Sequence, residues 1–212
     1  DKGFAIIAFF EYDRWHLGKL DLANETFEIL DCPYTHIDSV SVDGWHLVFL
    51  GADPGTFKKW ICWDLSNEGQ YLLETEAVGT VISRFSIGVV SRMKAEYYAG
   101  EIPYIFYPPC EDRPSSGPDN PPPAIVVCHG GPTACSESYL DLKVQYWTQR
   151  GFALIDVNYG GSTGYGRAYR ERIRNNWGIV DVEDTIAVVD HLRSKGLIAE
   201  NAVFLKGSCA GG

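Results

Sequence analysis

The last six residues, Gly207-Ser208-Cys209-Ala210-Gly211-Gly212, carry the most specific chemistry in the chain. They follow the apolar run Ala202-Val203-Phe204-Leu205 directly. A strand feeding a Gly-x-nucleophile-x-Gly turn presents the central side chain at the apex of the turn. Cys209 occupies that apex, so the chemistry on offer is nucleophilic attack by sulfur on an acyl carbon. The glycines have a steric reason: a side chain at Gly207 or Gly211 would collide with neighbouring backbone in so strained a turn. Ser208 is out of register, because Lys206, two residues earlier, already carries a Cβ. At the start of the following helix the amide of Ala210 points toward an oxyanion, and the helix dipole favours that charge.

Two upstream segments give the short glycine motif its weight. His129-Gly130-Gly131-Pro132 follows the buried run Ala124-Ile125-Val126-Val127-Cys128, the place where a second backbone N–H donor to an oxyanion is found. Asn158-Tyr159-Gly160-Gly161-Ser162-Thr163-Gly164-Tyr165-Gly166 follows the next apolar run, with Trp177-Gly178 further on. This glycine-rich stretch lacks the G-x-x-x-x-G-K-[ST] form of a phosphate loop, and no helix start is placed correctly after it. His36 and His46 stand without ligand spacing and read as structural. The six cysteines include no C-x-x-C pair and no zinc spacing, so neither metal nor cofactor is expected.

The elements that must position these residues fall into two rhythms. From Ala124 onward, strand and helix patterns alternate: strands at Ala124–Cys128, Phe152–Val157 and Ala202–Leu205. The helices are Tyr139–Arg150, ending at Gly151, and one capped by Asp181 and closed by Gly196. Such alternation implies a parallel sheet with right-handed crossovers. On the second helix Asp184 reads as a capping or surface carboxylate and His191 as an exposed histidine.

Before Glu76 the runs are short, alternating and separated by polar turns, as in antiparallel strands. Gly44–Leu50 resembles Gly3–Phe9. Likewise, Trp60–Leu65 with Gln70–Leu73 resembles Leu17–Leu22 with Phe27–Leu30. The paired glycines are 41 positions apart, and Asp21 and Asp64 are 43 apart. A four-stranded repeat of ~40–45 residues is the period of a propeller blade. Two blades do not close a ring, so further blades are expected before Asp1. A plain β-meander is the simpler alternative. The organisation read from the chain is therefore 1–80 as two blades, 81–123 as a connector with a proline-rich loop, and 124–212 as the α/β part.

Composition narrows the partners. A net charge of -10 offers no basic face for phosphates, so no nucleic-acid partner is expected. No apolar run approaches the ~20 residues of a membrane span, and no leader pattern precedes Asp1. With 45% hydrophobic residues and scattered cysteines, reduced thiols and a cytoplasmic location are the expectation, while nothing indicates oligomeric state.

In their order and spacing, His129–Pro132, Asn158–Gly166, Trp177-Gly178 and Gly207–Gly212 resemble the prolyl oligopeptidase family of serine peptidases. The nearer branch is the acylaminoacyl-peptidase and aminopeptidase-like one. The resemblance implies an α/β-hydrolase fold from about Pro122, with a β-propeller over its mouth that limits substrates to short peptides. It implies that Cys209 stands at the position of the acylated serine, that the amides of Gly130 and Ala210 form the oxyanion hole, and that His129 lies close by. The family's aspartate and histidine follow the nucleophile, so the chain is expected to be truncated after its elbow and inactive by itself. Two alternatives remain open. Dienelactone hydrolase-like thiol enzymes also place cysteine in a G-x-C-x-G-G elbow, and a binding protein could keep the fold without catalysis.

Overall fold

The computed structural model describes residues 3–66, 70–75, 87, 89–94, 100–110 and 120–211, in two compact units. One takes in residues 1–83 and 137–140, the other 84–136 and 141–212. The expected proline-rich loop lies largely outside the described residues, as does Gly212.

The first unit is all β. Strands β1 (Phe4–Glu11), β2 (Arg14–Asp21) and β3 (Thr26–Leu30) form one antiparallel sheet. A second antiparallel meander contains β4 (His36–Asp43), β5 (His46–Asp53), β6 (Thr56–Asp64) and β7 (Gln70–Thr75). Alternate residues bury on the inner faces, so Leu17, Ile37, Leu47, Phe49 and Ile61 form the core. No helix occurs among the described residues up to Thr75.

The sequence repeat is a structural one. Leu22 N donates to Gly3 O at 2.8 Å, and Leu65 N donates to Trp45 O at 2.8 Å, each bond closing the first two strands of its repeat. Trp45, rather than Gly44, therefore holds the place of Gly3, one residue off the sequence match. Asp21 accepts from Ala23 N and Asn24 N, and Asp64 accepts from Ser66 N and Oγ. Both aspartates thus nucleate the turn after the second strand, and these bonds hold both carboxyls below their usual range. The four-stranded sheet has the strand count of a propeller blade, and the two sheets fit an all-β, propeller-like part.

The second unit is a five-stranded sheet with helices. Its strands are β8 (Val89–Lys94), β9 (Glu101–Tyr107), β10 (Ala124–Cys128), β11 (Ala153–Val157) and β12 (Val203–Gly207), in the order β12-β10-β11-β9-β8. The three strands from Ala124 onward, β10, β11 and β12, pair in parallel as expected, while β9 and β8 of the 81–123 segment join antiparallel, so the whole sheet is mixed. The reason lies in the connections. The link from β8 to β9 is too short for a crossover and must return antiparallel, whereas helices separate β10, β11 and β12. One face of the sheet (Val126, Ile155, Val157) packs on Val188 and Leu192 of α3 (Val180–Ser194). The other (Ile105, Tyr107, Leu154) packs on Val144 of α1 (Leu142–Thr148). Burial on both faces explains the unbroken apolar run of β10 and the run of β11, apolar but for Asp156.

Several boundaries differ from expectation. Helix α1 begins after Asp141, whose side chain accepts from Lys143 N at 2.7 Å, and not at Tyr139. Residues 137–140 belong to the first unit, where Leu140 N donates to Asp53 O, so they are not available for helix. Helix α3 has Ile179 at its N-cap without a side-chain bond, and Asp181 lies within the first turn instead of capping it. Gly196, at φ +64, closes that helix as expected. A short α2 (Gly166–Glu171) follows the glycine-rich stretch, where no helix was anticipated.

Candidate active site

β12 ends at Gly207, and Cys209–Gly211 form a single 3-10 turn closed by Gly211 N donating to Ser208 O at 3.1 Å. Cys209 has φ +58, the left-handed region that residues with a Cβ rarely occupy. It is exposed, so the sharp turn lifts the thiol clear of the sheet. Gly211 is required by contact: a Cβ there would stand 2.2 Å from the carbonyl oxygen of Cys128. β12 lies parallel to β10 with Gly207 opposite Cys128, and this pairing brings the 129–131 loop to the elbow. A Cβ on Gly130 would lie 3.2 Å from Cys209 Cβ and 3.9 Å from its Sγ. Cys209 and Gly130, picked out separately by sequence, are therefore neighbours. Ala210 follows within the 3-10 turn.

His129 is built into the loop. Its ring stacks on Tyr159 with centroids 4.4 Å apart and planes 13° from parallel, while Tyr159 Oη donates to His129 O at 2.6 Å. Nδ1 lies 2.8 Å from Gly130 O, and Nε2 lies 2.7 Å from Ser162 Oγ. Burial holds the imidazole below its ordinary pKa and raises the Tyr159 phenol. Gly131, at φ +128, would bring a Cβ to 3.0 Å from the backbone nitrogens of Thr133 and Ala134.

The stretch after β11 braces this loop. Asn158 is buried; its Oδ1 accepts from Ser136 N at 2.7 Å, and its Nδ2 donates to Ser136 O and to Tyr165 Oη. Thr163 N donates to Ala134 O at 2.9 Å. Asp184, read from sequence as a cap or surface carboxylate, is wholly buried. It accepts from Gly160 N at 2.6 Å and from both terminal nitrogens of Arg172 at 2.9 Å. Gly160 must be glycine, since a Cβ there would lie 2.5 Å from Val180 Cγ1 and 2.9 Å from the Arg172 guanidinium carbon. His191 is half-buried beside Tyr104 and not exposed, and burial lowers its pKa.

Sequence reasoning missed Ser162, Asn158 and the Arg172–Asp184 pair as supports of the site. The available signal was polar side chains placed immediately after a strand buried on both faces. Cys110 is buried, and its amide donates to Thr148 O. Among the described residues no three His, Cys, Asp or Glu side chains gather as metal ligands, and no helix is long and apolar enough to cross a membrane.

Residues 138–212 match the profile of the prolyl oligopeptidase family. The chain is 36% identical over 90 residues to acylamino-acid-releasing enzyme 1 of Oryza sativa subsp. japonica, covering 42% of this chain and 12% of that protein. Acylamino-acid-releasing enzyme 2 of the same plant is 25% identical over 197 residues, covering 90% of this chain and 24% of the relative. Among solved structures, a Mycobacterium tuberculosis puromycin-hydrolyzing peptidase superposes with a TM-score of 0.85 at 33% identity, over 99% of this chain and 32% of its own. A puromycin hydrolase gives 0.84 at 34% identity, over 99% and 33%. The chain thus spans about a third of the solved relatives and less of the curated ones. Joined to the Gly-x-Cys-x-Gly turn, these likenesses show that the chain belongs to the prolyl oligopeptidase family, a family of serine-type peptidases.

Proposed function

We propose that this chain supplies the nucleophile and oxyanion elements of a peptidase that cleaves short peptides through an acyl-enzyme on Cys209. The observation that carries the reading is Cys209 itself, a non-glycine residue at φ +58 that opens the 3-10 turn after β12, packed against Gly130. In this reading residues 124–212 are the first part of an α/β-hydrolase domain, 1–80 are blades of a propeller, and 81–123 join them. The relatives named for acylamino-acid release and for puromycin hydrolysis support a peptidase.

The substrate carbonyl is attacked by the Cys209 thiolate, and the negative oxygen of the tetrahedral intermediate is held by the amides of Ala210 and Gly130. The peptide whose carbonyl His129 holds carries the amide of Gly131, which makes Gly131 the alternative donor to Gly130. Collapse of the intermediate expels the amine and leaves a thioester, which water then hydrolyses. Both ring nitrogens of His129 are engaged by the loop, so it is not free to take the Cys209 proton. The 212 residues alone therefore turn peptides over slowly or not at all. The six free thiols support a cytoplasmic setting.

The test separates acylation from turnover. The chain is incubated with a short peptidyl p-nitrophenyl ester, whose activated acyl group needs little general-acid help, and then digested for mass spectrometry. A peptidyl adduct confined to the peptide containing Cys209, and missing in Cys209→Ala, is the expected result. Adducts spread over other cysteines, or none, would overturn the reading. Acylation by an aryl lactone in preference to the peptidyl ester would favour a thiol hydrolase of the dienelactone type, to which the apical cysteine also points.

A further inference from the structure

Ser162 lies one bond away from the loop at Cys209 and touches nothing that reacts. It is wholly buried, with Oγ 2.7 Å from Tyr159 O and 2.7 Å from His129 Nε2. A hydroxyl has one proton to give, and its two neighbours make different demands on it.

The hydrogen positions follow from the acceptors. Gly130 O can only accept, so the His129 Nδ1 that lies 2.8 Å from it carries a proton. In the neutral ring Nε2 is then bare, and a bare nitrogen in this enclosed place needs a donor. Ser162 Oγ–H is the donor the structure puts there. Tyr159 O does not lose its partner when Ser162 turns to the ring, because Ser162 N also donates to it at 3.0 Å. In the opposite tautomer a bare Nδ1 would face the lone pairs of Gly130 O, and Nε2–H would donate to Ser162. That arrangement sets two acceptors against each other at 2.8 Å. Burial also keeps the ring from escaping the choice by taking a second proton.

We propose that Ser162 is a positioning residue: its hydroxyl donates to the bare Nε2 of His129 and so holds the Nδ1–H ring, the Gly130 carbonyl that it binds and the peptide plane beside Cys209. The inference deepens the reading that this loop serves the acyl transfer at Cys209, but its test does not depend on turnover. Gly160 and Gly161 let the chain fold back so that Ser162 reaches the ring: a Cβ on Gly161 would lie 2.8 Å from Ile173 Cγ2, at φ +117. The Asp184 carboxylate on Gly160 N anchors the same turn from below.

The experiment is a nitrogen-15 spectrum of the chain with labelled histidine, in which protonated and bare ring nitrogens resonate far apart. The His129 signals are assigned by their loss in His129→Gln. At neutral pH the expected pattern is a protonated Nδ1 and a bare, hydrogen-bonded Nε2. Ser162→Ala should keep Nδ1–H but move the Nε2 resonance to that of a bare nitrogen without a hydrogen bond, and Ser162→Thr, which keeps the hydroxyl, should restore the wild-type position. A wild-type spectrum with Nε2 protonated and Nδ1 bare would overturn the proposal without any variant having to fold. So would an Nε2 resonance left unmoved in a folded Ser162→Ala. Failure of Cys209 to acylate, with the expected spectrum intact, would count against the peptidase reading and leave this one standing.

Discussion

A side chain on Gly211 would have to occupy the space now held by the carbonyl of Cys128, 2.2 Å from its oxygen. The two residues belong to elements joined only through the sheet: β10 ends at Cys128, and β12 runs beside it into the elbow. The close approach is backbone against backbone, which a rotamer change cannot relieve. It ties the elbow to the strand that leads into the 129–131 loop.

Gly211→Ala should therefore lose both stability and site geometry. Overpacking of this kind costs about 1–3 kcal/mol, and more where only backbone can move. For a chain of this size each kcal/mol lowers Tm by roughly 2–4 °C. The expected outcome is a Tm drop of several degrees by calorimetry, with acylation of Cys209 reduced in the protein that remains folded. A Gly211→Ala protein with wild-type Tm and wild-type acylation would show that the elbow is looser than its glycine implies.

The Arg172–Asp184 pair gives a second prediction. Asp184 is fully buried and binds the guanidinium through both oxygens. Removing one partner of a buried pair strands the other and typically costs about 3–5 kcal/mol. Arg172→Met should show this in urea denaturation as a lower midpoint. The double variant Arg172→Met, Asp184→Leu should recover much of the loss, since no charge is then left buried. Recovery stays incomplete because Gly160 N loses its acceptor, at about 1–3 kcal/mol. A double-variant loss equal to the sum of the two single-variant losses would mean that the pair is not coupled.

The elbow was legible because its chemistry needs particular residues in a fixed order. Gly207, Cys209 and Gly211 come at the end of an apolar strand in that order, and Gly211 has no room for a side chain. The strand–helix alternation after Ala124 was legible because both faces of β10 and β11 are covered, which leaves Asp156 as the one polar residue in their runs. Long-range contacts were not legible. Asp184 lies in a helix at a spacing that suits a surface carboxylate, and only the fold brings Arg172 and Gly160 to it. Tyr139 and Leu140 open a helical apolar spacing, yet Tyr139 packs on His36 and the nearby Glu137 accepts from Trp15 Nε1 at 2.9 Å, contacts more than a hundred residues apart in sequence. Propensity lost there to tertiary contact. The direction of β9 was hidden as well, because an apolar strand reads alike in either sense.

The last prediction concerns pH and Asp156 on β11. Asp156 pairs in register with Val127 of β10 and Ile105 of β9, on the sheet face covered by α1, and Lys206 lies beyond Val127 on β12. Burial is the main cause that pushes its carboxyl up to about 7; Asp141 at the α1 N-cap adds to the rise, and Lys206 opposes it. In the unfolded chain the group ionises near its ordinary value of about 3.9. Between those limits the native state holds a proton that the unfolded state has released, so stability falls as pH rises from about 4 to about 7 and is level above. The slope is at most ~1.4 kcal/mol per pH unit for one such group. Asp156→Asn keeps the shape and cannot ionise. It should be close to wild type near pH 4 and more stable above pH 7, the gap opening across that window. Urea midpoints at a series of pH values measure it. A constant difference between the two proteins from pH 4 to 8 would show that Asp156 is ionised in the native state throughout, with Lys206 outweighing burial.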